Sequence, residues 1–172
     1  KVGLEDVPLQ MPEPEGRYDA ETGATVYSRG TNGLVYQQVV LPLPALSKDE
    51  LLLLPYYTTL ISEVGCGELD YLQMQDRISA ESGGIGASFT AKGQIDDVQA
   101  MTGYLIFSGK ALSRNSKALT RLLKDVYTGA RFDEKERVRE IIAQIRARRE
   151  QAVTGSGHAL AMGAAAQGVS SG

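Results

Sequence analysis

The sequence predicts an α+β domain in which helices pack on one face of a largely antiparallel sheet. Three observations carry that class. Two β-rich runs, Ala24 to Arg29 and Leu34 to Leu41, precede a helical region; a cleanly alternating segment from Ile85 to Lys92 and an apolar one from Met101 to Ser108 form a second strand pair; and two helix-period stripes follow. The order is β-β-α-α-β-β-α-α.

Each element has a local reason. Val2 to Gly23 holds Pro8, Pro12 and Pro14 among Glu5, Asp6, Glu13 and Glu15, and proline removes amide donors and fixes φ. Residues 1–23 are therefore expected to be an extended interdomain linker, with the domain at 24–172. Gly30-Thr31-Asn32-Gly33 offers an Asn-Gly pair suited to positive φ, which predicts a hairpin between the first two runs. Ser47-Lys48-Asp49-Glu50 has the form of a capping box ahead of Leu51 to Leu54. Pro55 is expected to divide that region, so a second helix runs from Pro55 to about Val64, burying Tyr57, Leu60, Ile61 and Val64 until Gly65 and Gly67 stop it. A third helix, about Leu69 to Glu81, buries Tyr71, Met74 and Ile78 and ends at Gly83-Gly84.

The later elements follow the same logic. Ile85, Ala87, Phe89 and Ala91 alternate with Gly86, Ser88, Thr90 and Lys92, as in a strand with one buried face, whereas Met101 to Ser108 is apolar on both faces and hence central. Leu119, Leu122, Leu123 and Val126 form one helical stripe; Val138, Ile141, Ile142 and Ile145 form another. Arg146, Arg148 and Arg149 lie towards the second helix's C-terminal end, where the dipole favours cations. Ala159 to Ala166 reads as a small-residue helix, and Gly168 to Gly172 as irregular.

Composition excludes several classes. The chain has 172 residues, enough for one domain with a sizeable core, and 18 basic against 21 acidic residues leave a net charge of -3. That balance provides no cationic field for nucleic acid or an anionic membrane. Apolar runs such as Leu51 to Leu54 fall far short of the roughly 20 residues that span a bilayer. Cys66 is the one cysteine and cannot form an intrachain disulfide, so a cytoplasmic or organelle-matrix setting is the default. A chain that starts at Lys1 fits an expression fragment better than a natural N-terminus.

Four segments carry a family resemblance: Thr31-Asn32-Gly33-Leu34-Val35-Tyr36, Ser82-Gly83-Gly84-Ile85, Ser108-Gly109-Lys110-Ala111-Leu112 with Asn115, and Ser156-Gly157-His158-Ala159-Leu160-Ala161, with Phe132-Asp133 as a helix start between them. In this order the chain resembles the non-catalytic C-terminal half of pitrilysin/insulinase-type zinc metallopeptidases, in the presequence-protease branch. The resemblance implies a metallopeptidase-like α/β roll with the zinc site lost. In the metal-bearing domains a helix carries H-x-x-E-H and a later helix a glutamate ligand. Setting Gly65 against the glycine after that motif puts Tyr56, Thr59 and Leu60 at the ligand and base positions, with Gln144 near the later glutamate. Leucine offers no donor atom, so no catalytic, cofactor or metal residue is assigned to this chain.

The resemblance further implies a parent zinc metalloendopeptidase that degrades unfolded peptides. Its N-terminal half would be this chain's partner and hold the zinc; this domain would form part of a closed substrate chamber and meet peptide substrates. The family domain continues beyond a point like Ala166, which leads us to expect a truncated domain, an exposed strand edge and a homodimer of the fragment. The rivals are a non-proteolytic structural protein and a free-standing peptide-binding module on the same fold.

Single residues have plainer explanations. His158, the sole histidine, is expected to cap a helix or to make a buried hydrogen bond, and Cys66 becomes a nucleophile only if His158 lies beside it. Asp133, Glu134, Glu136 and Glu140 read as a solvated helix start. Lys110 lacks the glycine-rich loop of a nucleotide site, Gly83-Gly84 reads as a turn, and Tyr18, Tyr27 and Tyr36 read as packing residues with a peptide groove as the alternative.

Overall fold

The computed structural model describes residues 13–93 and 100–166, together with positions 3, 6, 96 and 97. The chain divides into two compact units, residues 1–33 and 34–172. Of the stretch expected to be linker, residues 13–23 are described, and they contain a strand. β1 (Gly16–Asp19) pairs antiparallel with β2 (Ala24–Tyr27), in a register running from Gly16↔Tyr27 to Asp19↔Ala24. Asp19 closes the turn by accepting the Glu21 N–H at 3.0 Å, and Gly23 supplies φ of +67°.

The predicted hairpin between the second and third strands does not form. β2 finds its partner in β1, a few residues away, and β3 (Leu34–Pro42) pairs instead with a strand some seventy residues later. Asn32 and Gly33 do adopt positive φ, 51° and 78°, without joining a strand pair.

The larger unit continues with α1 (Lys48–Leu60), α2 (Tyr71–Glu81), β4 (Ile85–Gly93), β5 (Met101–Leu112), a 3-10 turn at Ser113–Asn115, α3 (Ser116–Gly129), α4 (Lys135–Gly155) and α5 (Gly157–Ala166). Its sheet has the order β3-β5-β4 and is antiparallel throughout. β5 is central, as its two-sided apolarity predicts. The chain is thus α+β, with its helices on one sheet face.

Register defines the faces. Val35, Gln37, Val39 and Leu41 of β3 stand opposite Ala111, Gly109, Phe107 and Leu105 of β5, and Ile85 and Ala87 of β4 share that side. Leu105, Phe107 and Ala111 are buried there against Met74 and Ile78 of α2 and Leu119, Leu122, Leu123 and Val126 of α3. All four predicted α3 stripe residues are in this core. Fully burying each such leucine contributes roughly 1.5–3 kcal/mol. Gly109 sits directly beneath Leu119: a Cβ there would come within 2.7 Å of Leu119 Cδ1, so the missing side chain lets α3 approach the sheet. On β4 the core ends at Ala87, and Phe89, expected to be buried, is 42% exposed.

Pro55 does not divide the first helical region. Ser47 and Glu50 form the capping box, and α1 then runs through Pro55 to Leu60. An interior proline costs about 3 kcal/mol relative to alanine. The helix persists because Leu54, Thr58 and Leu60 are buried on it; the hydroxyls of Thr58 and Thr59 donate to Leu54 O and Pro55 O at 3.0 and 2.9 Å. The Ser47 amide and hydroxyl hold the Glu50 carboxyl below its ordinary pKa. α2 begins with its own capping box, Asp70 with Gln73.

α4 corrects a second expectation. Val138, Ile141 and Ile145 pack with Leu60 and Val64, but Ile142 is 41% exposed. α4 buries a narrow stripe, and one residue further on turns the side chain about 100° out of it. The arginines at 146, 148 and 149 precede six further helical residues, so they lie well before the helix end. α5 confirms the small-residue helix, and the irregular tail expected at Gly168 to Gly172 lies outside the described residues. No helix among the described residues is long and apolar enough to cross a membrane.

We expect Leu122→Asp to abolish cooperative unfolding, since it places an unpaired charge in the core at a cost of at least about 3 kcal/mol. Ile142→Asp is expected to retain a cooperative melt by circular dichroism.

Candidate functional site

The helix that would carry a metal motif is filled with packing residues. Leu60 is buried in a cluster with Val64 and Ile141, bordered by Tyr56, Val138 and Ile145. Thr59 spends its hydroxyl on Pro55 O. The Tyr56 OH accepts a hydrogen bond from Arg149 at 3.1 Å, and the guanidinium carbon stands 4.8–4.9 Å from a ring in two places, Arg149 over Tyr56 and Arg137 over Tyr71. Gln144 lies on the exposed side of α4, bonded to Glu140. A phenol, an occupied hydroxyl and a leucine do not suit zinc, which takes imidazole, carboxylate or thiolate donors. The groups facing this helix from α4 are apolar or cationic.

Between α1 and α2 the chain makes a tight loop, which residues 129–137 clamp. Gly65 N–H donates to Glu134 Oε2 at 2.9 Å and Tyr71 N–H to Glu134 Oε1 at 3.2 Å. Arg131 N–H donates to Gly65 O and Gly67 N–H to Gly129 O. Arg131 Nη1 reaches Gly67 O at 2.7 Å, and Arg137 holds Glu63 through both its carboxylate and its carbonyl. Glu134 is therefore not the solvated acid expected. α4 starts only at Lys135, so the carboxylate is free to serve two amides from elsewhere in the chain. The rest of that acidic set pairs locally: Asp133 with Arg131, Glu136 with Arg139, Glu140 with Arg137.

Cys66 is buried in this loop. Its Sγ donates to Asp125 O at 3.1 Å, and burial first, then the nearby Asp125 carboxylate, push the thiol above its ordinary pKa. His158 is exposed on the first turn of α5, so its expected burial is not met, and among the described residues its imidazole makes no hydrogen bond. The thiol and the imidazole are not brought together, and a raised thiol pKa is the opposite of nucleophile activation.

Three of the four segments that carry the resemblance meet at one end of the sheet, on the face away from the helices. There a depression of about 410 Å³ is bordered by Tyr36, Gln38 and Lys110 and floored by Gly84, Gly86 and Ser108. A second, of about 240 Å³, lies on the other side of Lys110, between Leu34 and Leu112 at the ends of β3 and β5 and Ser79, Ala80 and Glu81 in the last turn of α2. Gly84 turns the chain into β4 with φ of +111°, while Gly83 N–H and Lys110 N–H exchange hydrogen bonds with Lys110 O and Gly84 O. The Lys110 stem lies over Gly83, where a Cβ would meet it at 3.2 Å. Asn115 Nδ2 donates to Glu81 O at the end of α2.

A family profile described as peptidase M-16C associated matches residues 1–172. The chain belongs to this family. It is 30% identical over 137 residues to the mitochondrial presequence protease of Danio rerio, covering 80% of this chain and 13% of that protein. It is 32% identical over 143 residues to the mitochondrial presequence protease of Aspergillus fumigatus, covering 81% of this chain and 13% of that protein. With presequence protease 1, chloroplastic/mitochondrial, of Arabidopsis thaliana the identity is 26% over 131 residues, 76% of this chain and 12% of that protein. The domain thus corresponds to a small part of much longer peptidases.

Sequence reasoning missed the groups that organise this peptidase-associated domain. Glu134 and Arg137 looked like ordinary first-turn charges, and their partners lie 63 to 74 residues away. Tyr18, Tyr27 and Tyr36, expected to pack, are 67%, 54% and 62% exposed.

Glu134→Ala is expected to destabilise the fold by about 1–3 kcal/mol, because two amides at a part-buried junction lose their acceptor, whereas Glu136→Ala stays within about 0.5 kcal/mol of wild type. Urea denaturation of the two variants separates them. Cys66 should resist Ellman's reagent in the native state and react on unfolding. Because its pKa is raised on folding, its stabilising contribution is present below the ordinary thiol value and is lost as pH rises through the raised one.

Proposed function

We propose that this chain is a non-catalytic domain of a zinc-dependent metalloendopeptidase that degrades unfolded peptides, and that it forms part of the wall of a closed substrate chamber. The N-terminal half of the same polypeptide would supply the zinc and its activated water. This domain would contribute surface, exclusion by size and closure contacts. No residue of this chain acts on the scissile bond. Peptide substrates and the catalytic half are its partners, and an organelle matrix is its setting, in keeping with relatives named mitochondrial or chloroplastic.

One observation carries the proposal. In a chain of a peptidase-associated family, the helix that resembles the metal-bearing one presents Tyr56, Thr59 and Leu60, and these are engaged in packing and hydrogen bonds with Ile141, Arg149 and Pro55. The open sheet face, with Tyr36 and Val40 exposed, is the surface suited to line a chamber.

After dialysis against a weak chelator, elemental analysis should find no stoichiometric zinc, and the purified chain should not hydrolyse a fluorogenic peptide. Chelator-sensitive hydrolysis that co-elutes with the chain on size exclusion would overturn the assignment.

A further inference from the structure

The residues at the sheet end divide into those with a structural partner and those without. Gly109 makes room for Leu119, Gly83 for the Lys110 stem, and Asn115 holds the Glu81 carbonyl. Ser82 Oγ donates to Ile78 O at 2.7 Å and accepts the Gly84 N–H at 3.1 Å. Glu81, which borders the second depression, turns its carboxylate to Arg77 at 3.2 Å. Among the described residues, no carboxylate pairs with Lys110 and no hydrogen bond is made by the Tyr36 hydroxyl; both side chains are exposed. They stand over a floor whose side chains are two hydrogens and a hydroxymethyl, on a face that continues to Val40 and Ile106.

We propose that this groove holds an extended peptide crossing the open sheet face, with an acidic side chain of the peptide placed against Lys110 and an adjoining apolar one against Tyr36. The glycine and serine floor admits a backbone at close range. Lys110 provides a compact cation on a stem that passes over Gly83. The two depressions flank Lys110, one on the open face and one leading round the sheet end to α2, so a peptide seated in the first has a continuation past Lys110 along the second. The proposal rests on the chamber-wall function and assigns it a substrate preference.

The test is fluorescence anisotropy with the 172-residue chain and a short labelled peptide blocked at both ends, carrying one central glutamate or, in its place, glutamine. The glutamate peptide should bind about three- to fivefold more tightly, the scale of an exposed ion pair, and the difference should shrink as salt is raised. Lys110→Met should remove the difference and Lys110→Arg should keep it, with circular dichroism melts confirming that both variants fold. Tyr36→Ala should weaken both peptides alike. Equal binding of the two peptides to wild type, or a difference that survives Lys110→Met, overturns the carboxylate site while leaving peptide contact intact. A glutamine peptide with a free C-terminus that gains the same Lys110-dependent affinity would assign the site to chain ends and overturn the proposal. Failure of every peptide to bind overturns the chamber-wall function as well.

Discussion

The close approach at Gly65 is the constraint on which the larger unit depends. A Cβ at that position would lie 2.5 Å from Glu134 Oε2 and 2.6 Å from Leu69 O, so only glycine lets three strands of chain converge there. Through that contact the end of α1, the start of α2 and the segment before α4 are tied by main-chain and carboxylate hydrogen bonds, with isolated bridges from Cys66 to both Leu69 and Ala130. The two helical layers meet at this point, one core facing the sheet and the other, around Leu60 and Ile141, facing α4. Hydrogen bonds to a carboxylate are stronger than neutral ones, which suits Glu134 to holding two amides at a part-buried junction.

By the family resemblance, that second core stands where a metal-bearing helix and its partner helix would face each other. Catalytic zinc sites need polar donors held by further polar groups; here the same juxtaposition is met by aliphatic packing, finished at its rim by a guanidinium stacked on a phenol ring. The centre of this helix pair is apolar. Recesses lie at the end of the sheet, one on its open face and one between the ends of β3 and β5 and the last turn of α2.

Much of this was legible because it is local. The α3 stripe repeats with helical period, the Ser47 to Glu50 cap has a fixed spacing, and β5 is apolar on both faces. What the sequence obscured depends on distance or competition. Nothing near Leu34 indicates that its partner is Leu112, and the Asn32-Gly33 turn signal argues for a nearer one. Pro55 breaks helices on average, yet here the burial of Leu54, Thr58 and Leu60 outweighs the lost amide. Ile142 satisfies the stripe by spacing alone, and only the width of the neighbouring surface leaves it outside. Around Lys110 the segments were recognisable as a set, but their convergence on one recess belongs to the pairing of β3 and β4 with β5.

The central position of β5 also dictates an order of assembly. β3 and β4 do not pair with each other; each pairs only with β5. Until residues 101–112 have been made, β3 has no strand to join, and the clamp on the Gly65 loop waits longer still, for Glu134 and Arg137. Contacts spanning such separations close slowly because loop entropy must be overcome before they are rewarded. During synthesis at about 5–20 residues per second, β3 therefore stays as an unpaired apolar edge for several seconds, the interval in which a chaperone or a neighbouring chain has its best access to this domain.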